Sequence, residues 1–165
     1  MQKGTYKKRL DRIKENKAKF LILKFIYKLL PLLIVIIYPV MVAIKGFMGL
    51  DLDFILMIAV PAGVLILITA MRKIIKRERP YERFDTPPLF ERDGEGDSFP
   101  SRHTASAFII AMSGFALSPF LGVGLLLVAA AIGVSRILSG VHYVTDVLAG
   151  MLISVIFGTI AFIVI

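Results

Sequence analysis

Residues 121–146, LGVGLLLVAAAIGVSRILSGVHYVTD, decide how this chain is read. At about 1.5 Å of helix per residue, the apolar run Leu121 to Leu138 reaches about 27 Å, the thickness of a bilayer's hydrocarbon core. It closes on Ser135-Arg136, and His142 and Asp146 follow directly. Polar and ionisable groups at the edge of an apolar span are costly to place, so each calls for a partner or a task. A second stretch has the same character. Phe99-Pro100-Ser101-Arg102-His103 opens another apolar run, and the two stretches together hold both histidines of the protein.

Working outward, three further runs complete a plan of five spans. The first, Phe20 to Ile44, contains Lys24, Lys28, Pro31 and Pro39, so its central bilayer portion is expected to begin near Leu29. The second covers Phe54 to Met71, with an irregularity expected at Pro61. The third is Ser101 to Leu117, the fourth Leu121 to Leu138, and the fifth Tyr143 to Ile165. At 165 residues and 57% hydrophobic, with mean hydropathy +0.80, the chain is too apolar for an ordinary soluble domain. The expected architecture is all-α: an integral membrane helical bundle of about five transmembrane helices. Its transmembrane domain is 20–165. Residues 1–19 form either a basic tail or an interfacial helix continuous with the first span, since Leu10, Ile13 and Ala18 are interleaved with lysines and arginines. No short apolar core with a small-residue cleavage pattern adjoins them, so a removable signal peptide is not expected.

Charge and composition narrow the chemistry. The formal charge is +8, but the cations flank apolar spans and have no base-stacking platform beside them. Anionic headgroups and phosphates fit that placement, and nucleic acid does not. Zero cysteines exclude disulfides, thiolate catalysis and cysteine metal sites. With five spans, the N-terminal tail and the segments 72–102 and 136–146 share one side, and Lys45 is the sole lysine or arginine on the other. The positive-inside tendency then places the histidines at the cytoplasmic face. Residues 80–96, with Pro87-Pro88, several acids and two glycines, read as a loop. It is either a gate over a headgroup site or a plain surface connection. Gly150, Ser154 and Gly158 recur every four residues and favour close helix packing. Tyr27, Tyr38, Tyr81 and Tyr143 read as interface or packing residues.

The histidines carry the reaction chemistry. Four residues apart, His142 and Asp146 share a side if the backbone between them is helical. Asp146 then holds one imidazole nitrogen protonated and leaves the other free to attack phosphorus. His103 is the expected acid for the departing oxygen, and afterwards the base for water. Arg79 and Arg136 can bind phosphate in paired fashion, and Arg72, with Lys73 or Lys76, adds charge. A helix through this region would put Arg72, Lys76 and Arg79 near one face and Lys73 about 100° away. Ser101 and the backbone donors after Pro100 complete a cradle at a helix start. The chain lacks a dense set of acids and histidines like a divalent-metal centre, so neither metal nor cofactor is expected.

The pattern Arg72, Arg79-Pro80, then Pro100-Ser101-Arg102-His103, then Ser135-Arg136, His142 and Asp146 resembles the three-part signature of the type 2 phosphatidic acid phosphatase (PAP2) superfamily. The motifs cover residues 72–146, and the hydrophobic plan covers about 20–165. The resemblance implies a helical fold and metal-independent hydrolysis of lipid phosphates or diphosphates, with a phosphorylated membrane lipid and water as substrates. It implies that Arg72, Arg79, Ser101, Arg102 and Arg136 bind phosphate, that His103 is the acid, His142 the nucleophile and Asp146 its orienter. Two positions depart from the family pattern: Arg72 stands where lysine is usual, and Arg102 where glycine is common. Many family members also have six spans, and many bacterial members work at the outer face, opposite to the charge-based orientation. Phosphatidic acid, phosphatidylglycerol phosphate and undecaprenyl diphosphate all suit the cradle. An inactive lipid-binding module, a transporter and a vanadium-dependent haloperoxidase are the competing classes, and the sequence carries no signal for oligomeric state.

Overall fold

The computed structural model describes residues 3–90 and 97–164. Among the described residues seven α-helices follow one another: α1 (Lys3–Glu15), α2 (Lys17–Met48), α3 (Leu52–Ile75), α4 (Pro80–Arg83), α5 (Arg102–Ser113), α6 (Pro119–Leu138) and α7 (Val144–Thr159). A 3-10 turn, Gly114–Ala116, follows α5, and a π turn, Ile160–Val164, ends α7. The boundaries have local causes. The Asn16 side chain accepts the Lys19 N–H at 3.0 Å and starts α2 after a break from α1. Asp51 does the same for α3 through the Phe54 N–H at 3.0 Å. Pro80 and Pro119 stand at first helical positions, where a missing N–H costs nothing.

Helix directions follow from contacts at the two ends. At one end Lys45 of α2 meets Asp51 and Asp53 at 2.9 and 3.0 Å, and Gly114 lies against Gly122. At the other, Arg72 reaches Pro100, and Arg136 reaches Tyr27. So α2, α5 and α7 run away from the second end, while α3 and α6 run towards it. The N-terminal helix, the segment after α3 and the α6–α7 connection all gather there.

The third span differs from its expectation. Among the described residues, four stretches are long and apolar enough to cross a membrane: Lys17–Met48, Leu52–Arg83 with α3 as its apolar part, Pro119–Leu138 and Val144–Val164. The α5 helix is shorter, about 18 Å of α-helix before its 3-10 turn. It can be short because it runs inside the bundle, with Phe108, Ile110 and Ala111 packed among Ile34 of α2, Met57 of α3, and Leu125, Ala129 and Ile132 of α6. A helix sheathed by others need not match the lipid thickness. The outer helices instead expose Ile36, Ile66, Ile74, Leu127, Ile156 and many like them. An apolar belt of this extent would aggregate in water, and it identifies an integral membrane protein.

Pro61 does not interrupt α3. A proline there removes the N–H that would bond the Met57 carbonyl one turn back. The Tyr38 hydroxyl of α2 donates to that carbonyl at 2.8 Å, so the group left over in a water-free setting is satisfied from a neighbouring helix. The segment 80–90 also departs from a plain loop. The Arg79 N–H donates to the Glu82 carboxylate at 2.9 Å and organises α4, and the Phe90 ring packs on Phe20 and Tyr27 at 5.3 and 4.9 Å. Residues 91–96, the rest of the segment read as either a gate or a plain surface connection, lie outside the described residues. Tyr38→Phe is expected to cost about 1–3 kcal/mol by stranding the Met57 carbonyl, read as a lower Tm in detergent; an unchanged Tm would refute that role.

Candidate active site

The site lies where α3 and α6 end and α5 and α7 begin. Two helix starts face it, so backbone N–H groups and their positive dipole ends point towards whatever binds. Close packing makes the convergence possible. A Cβ on Gly150 of α7 would stand 2.8 Å from the Ser101 carbonyl, and one on Gly158 only 2.4 Å from Met112 of α5. Between them, the Ser154 hydroxyl donates to the Ala105 carbonyl at 2.8 Å. The small-residue stripe is thus the face on which α7 lies against α5, and it brings the Ser101 N–H to the Asp146 carbonyl at 3.0 Å.

His142 and Asp146 meet, though not as neighbours on a helix. His142 precedes α7, and Asp146 sits in its first turn, where its Oδ2 accepts the Tyr143 N–H at 2.9 Å. The same oxygen lies 3.4 Å from His142 Nδ1 and accepts a short hydrogen bond from the Ser98 hydroxyl. The other imidazole nitrogen, Nε2, is 3.4 Å from Arg79 Nη1. A guanidinium can only donate and a carboxylate can only accept, so these contacts select one tautomer: proton on Nδ1, lone pair on Nε2. Burial pushes His142 down to about 4, against the opposing pull of Asp146 and with the Arg79 charge acting in the same direction as burial. The imidazole is therefore neutral at neutral pH.

The arginines divide into three positions. Arg79 is fully buried, donating Nη1 to the Val141 carbonyl and Nη2 to the Asp97 carbonyl, both at 3.1 Å. Arg72, also buried, donates to the Pro100 carbonyl at 2.9 Å and so sits directly before the Ser101 helix start. Arg136 turns towards α2: its Nη2 donates to the Tyr27 carbonyl at 3.0 Å and its guanidinium lies 3.9 Å from the Tyr27 ring centroid. Its Nε is buried without a hydrogen-bond partner among the described residues. Arg136 is also the charge that acts most strongly on His103, ahead of His142, Arg102 and Arg79. The helical-face argument for Arg72, Lys76 and Arg79 does not hold. The α3 helix stops at Ile75, Lys76 turns left-handed at φ 46°, and Arg79 belongs to the segment that follows.

Arg102 and His103 are exposed on the first turn of α5, at the mouth of a cavity of about 260 Å³ whose walls include Pro31, Ile34 and Val35 of α2 and Leu65 of α3. Ser101 caps α5: its Oγ is 3.4 Å from the Thr104 N–H and 2.9 Å from the Thr104 hydroxyl. The sequence also allows Arg102 to pair with an acid of the 80–100 loop, of which Glu91, Asp93 and Glu95 lie outside the described residues. On its other side, His142 lines a second cavity of about 250 Å³, together with Arg9, Arg77, Tyr143 and Thr145. Among the described residues, no three of histidine, cysteine, aspartate and glutamate converge closely enough to hold a metal ion.

Sequence reasoning missed Arg77 and Ser98. Arg77 pairs with Asp146 Oδ1 at 2.8 Å, yet in the sequence it is one cation among many in KIIKRERP. Ser98 had no signal beyond its nearness to Pro100. The α1 helix was missed as a contributor too. The buried Tyr6 hydroxyl donates to the Gly140 carbonyl and Arg9 to the Ile137 carbonyl, at 3.0 and 2.9 Å, tying α1 to the connection that carries His142.

The chain belongs to the PAP2 superfamily, whose sequence model matches residues 52–165 and so takes in all the site residues described above except Arg9, Tyr6, Tyr27 and the α2 wall. Over 80 residues it is 42% identical to the bacitracin transport permease protein BcrC of Bacillus licheniformis, a match covering 46% of this chain and 39% of that relative's length. Among solved structures it is similar to a transmembrane PAP2-type phosphatidylglycerolphosphate phosphatase from Bacillus subtilis. The TM-score is 0.76 at 23% identity, over 96% of this chain and 81% of that one, a likeness of fold alone. Aquifex aeolicus LpxE gives 0.69 at 27% identity, over 88% of this chain and 86% of that one.

The packing of α7 on α5 makes a simple prediction. Gly150→Ala is expected to lower Tm in detergent, because the Ser101 backbone must move, whereas Gly63→Ala, with nothing within 4 Å of its added Cβ, is expected to be neutral or stabilising. Equal effects at both positions would contradict the packing.

Proposed function

We propose that this protein hydrolyses a phosphorylated membrane lipid, a phosphate monoester or a diphosphate, through a phosphohistidine formed on His142. The observation that carries the reading is the tautomer set by Asp146 and Arg79, which leaves the Nε2 lone pair directed towards buried cationic groups. In the first step Nε2 forms the N–P bond while the bond between phosphorus and the departing lipid oxygen breaks. His103 gives that oxygen a proton, so the leaving group departs as an alcohol or as a lipid monophosphate. In the second step water attacks phosphorus, His103 accepts its proton, the N–P bond breaks and inorganic phosphate leaves. Asp146 holds the Nδ1 proton throughout and stabilises the positive charge on the imidazole while phosphorus is attached.

The phosphoryl oxygens bear the charge that must be stabilised, and Arg79, Arg72, Arg136 and Arg102 supply cations for it, with Ser101 and the start of α5 completing the cradle. Arg79 is already aimed: its Nη1 can pass from Nε2 to a phosphate oxygen as the lipid binds. This chemistry uses the chain's own charges and is proposed to need no metal. The cavity walled by Pro31, Ile34, Val35 and Leu65 suits the hydrocarbon next to a headgroup held at Arg102 and His103. Phosphatidic acid, phosphatidylglycerol phosphate and undecaprenyl diphosphate are the lipids to compare. The basic α1 and the cations of 72–102 and 136–146 favour the cytoplasmic side for this end of the bundle.

Phosphate release from these three lipids in detergent micelles containing EDTA tests the reading. The intact protein is expected to turn over at least one of them, and His142→Ala to lose about 10³-fold or more. Normal turnover by His142→Ala, or loss of the intact protein's activity on chelation, would contradict it.

A further inference from the structure

The Asp146 side chain is fully buried, and its two oxygens have different partners. Oδ2 faces His142 and takes the Ser98 hydroxyl and the Tyr143 N–H. Oδ1 takes Arg77, whose Nη1 stands 2.8 Å from it and 2.7 Å from the Thr145 hydroxyl. The Arg77 guanidinium lies 4.2 Å from the Tyr143 ring centroid, so an aromatic face and two oxygens hold it in one orientation. Its side chain is 34% exposed, on the wall of the second cavity. The hydrolytic scheme assigns this arginine no task, and its contacts are on the Asp146 side of the imidazole, away from the Nε2 that faces Arg79.

Resting on the hydrolytic reading, we infer that Arg77 is a positioning residue of the reaction: it fixes Asp146 through Oδ1 and thereby orients Oδ2 on His142 and limits how strongly the carboxylate holds a proton on the imidazole. A carboxylate anchored at one oxygen can rotate about its Cβ–Cγ bond, and one anchored at both cannot. The cation also draws on the charge that would otherwise act on the imidazole, and in a site with little water that effect is weakly screened. The charged and titratable groups around His142 are Arg9 from α1, Arg77 and Tyr143, which share its cavity, Arg72 from α3, Arg79 ahead of α4, His103 from α5 and Asp146 from α7. Of these, the Asp146 carboxylate favours the protonated imidazole, and Arg77 moderates it. Without Arg77, Asp146 acts undiminished on a looser imidazole, so the proton affinity of His142 rises and its protonation begins to compete with attack at a higher pH.

Two variants in the full-length protein in micelles, Arg77→Gln and Arg77→Lys, separate this from a phosphate-binding or structural role. Arg77→Gln is expected to lower kcat about 10–100-fold with little change in KM, as losses of groups that orient a reacting ligand do. It is also expected to move the acid limb of kcat/KM upward by about one pH unit, and Arg77→Lys to restore most of that shift and part of kcat. A raised KM at unchanged kcat would overturn the inference and make Arg77 a substrate contact. Unchanged kinetics and an unchanged pH profile would overturn it as well. An NMR titration of the two histidine rings gives a readout independent of turnover: His142 should titrate higher in Arg77→Gln than in the parent. An inactive parent protein with that shift present would overturn the hydrolytic reading and leave the coupling standing, whereas an active parent with no shift would overturn the coupling alone.

Discussion

A carboxylate buried at the edge of a membrane holds this structure's polar end together. A lone ion there would cost several kcal/mol, and the cost is offset only when its oxygens are fully engaged. Asp146 meets that condition by drawing on separate parts of the chain: Arg77 from beyond α3, Ser98 from the approach to α5, and His142 and the Tyr143 N–H ahead of α7. Its backbone carbonyl also receives the Ser101 N–H. The first turn of α7 is thereby joined to the start of α5 and to the segment after α3. Each of those segments delivers a residue of the candidate site: His103, Arg79 and His142.

The hydrocarbon part of the molecule makes that junction possible. Gly150, Ser154 and Gly158 let α7 lie directly on α5, and α5, enclosed by α2, α3 and α6, needs no lipid-matching length. The pairing of Tyr38 with Met57 shows the same rule applied in the bundle's interior, where a proline is tolerated because a neighbouring helix supplies the missing donor. At the far end, Lys45 is neutralised by Asp51 and Asp53 and fixes the turn between α2 and α3. Charged groups thus appear at both ends of the bundle, Lys45 held by two aspartates at one and Asp146 held by Arg77 at the other.

Much of this was legible in the sequence because membranes restrict structure so strongly. A run such as Leu121–Leu138 can hardly be anything but a helix, and the serine, arginine and histidine at its exit announce a polar site. Other features were not legible, for physical reasons. The run from Ser101 to Leu117 is apolar enough for a full span, and nothing local reveals that α5 is enclosed and gives way to a 3-10 turn at Gly114. The spacing of His142 and Asp146 led to the right contact by the wrong route, since capping of α7 joins them across a non-helical entrance. Extending a helix through Arg79 failed because Lys76 takes a left-handed conformation that lysine does not advertise. Arg77 and Ser98 are ordinary residues until the chain folds back and presents Asp146 to them.

The central claim is that His142 becomes covalently phosphorylated, and rapid-quench trapping with a lipid carrying labelled terminal phosphate tests it most directly. In a His103→Ala variant the account predicts slower departure of the leaving group, slower attack by water, and protein-bound label that survives alkali, is released by acid, and maps to His142. Turnover of the labelled lipid with no label on His142 at any time, or label on another residue, would contradict it.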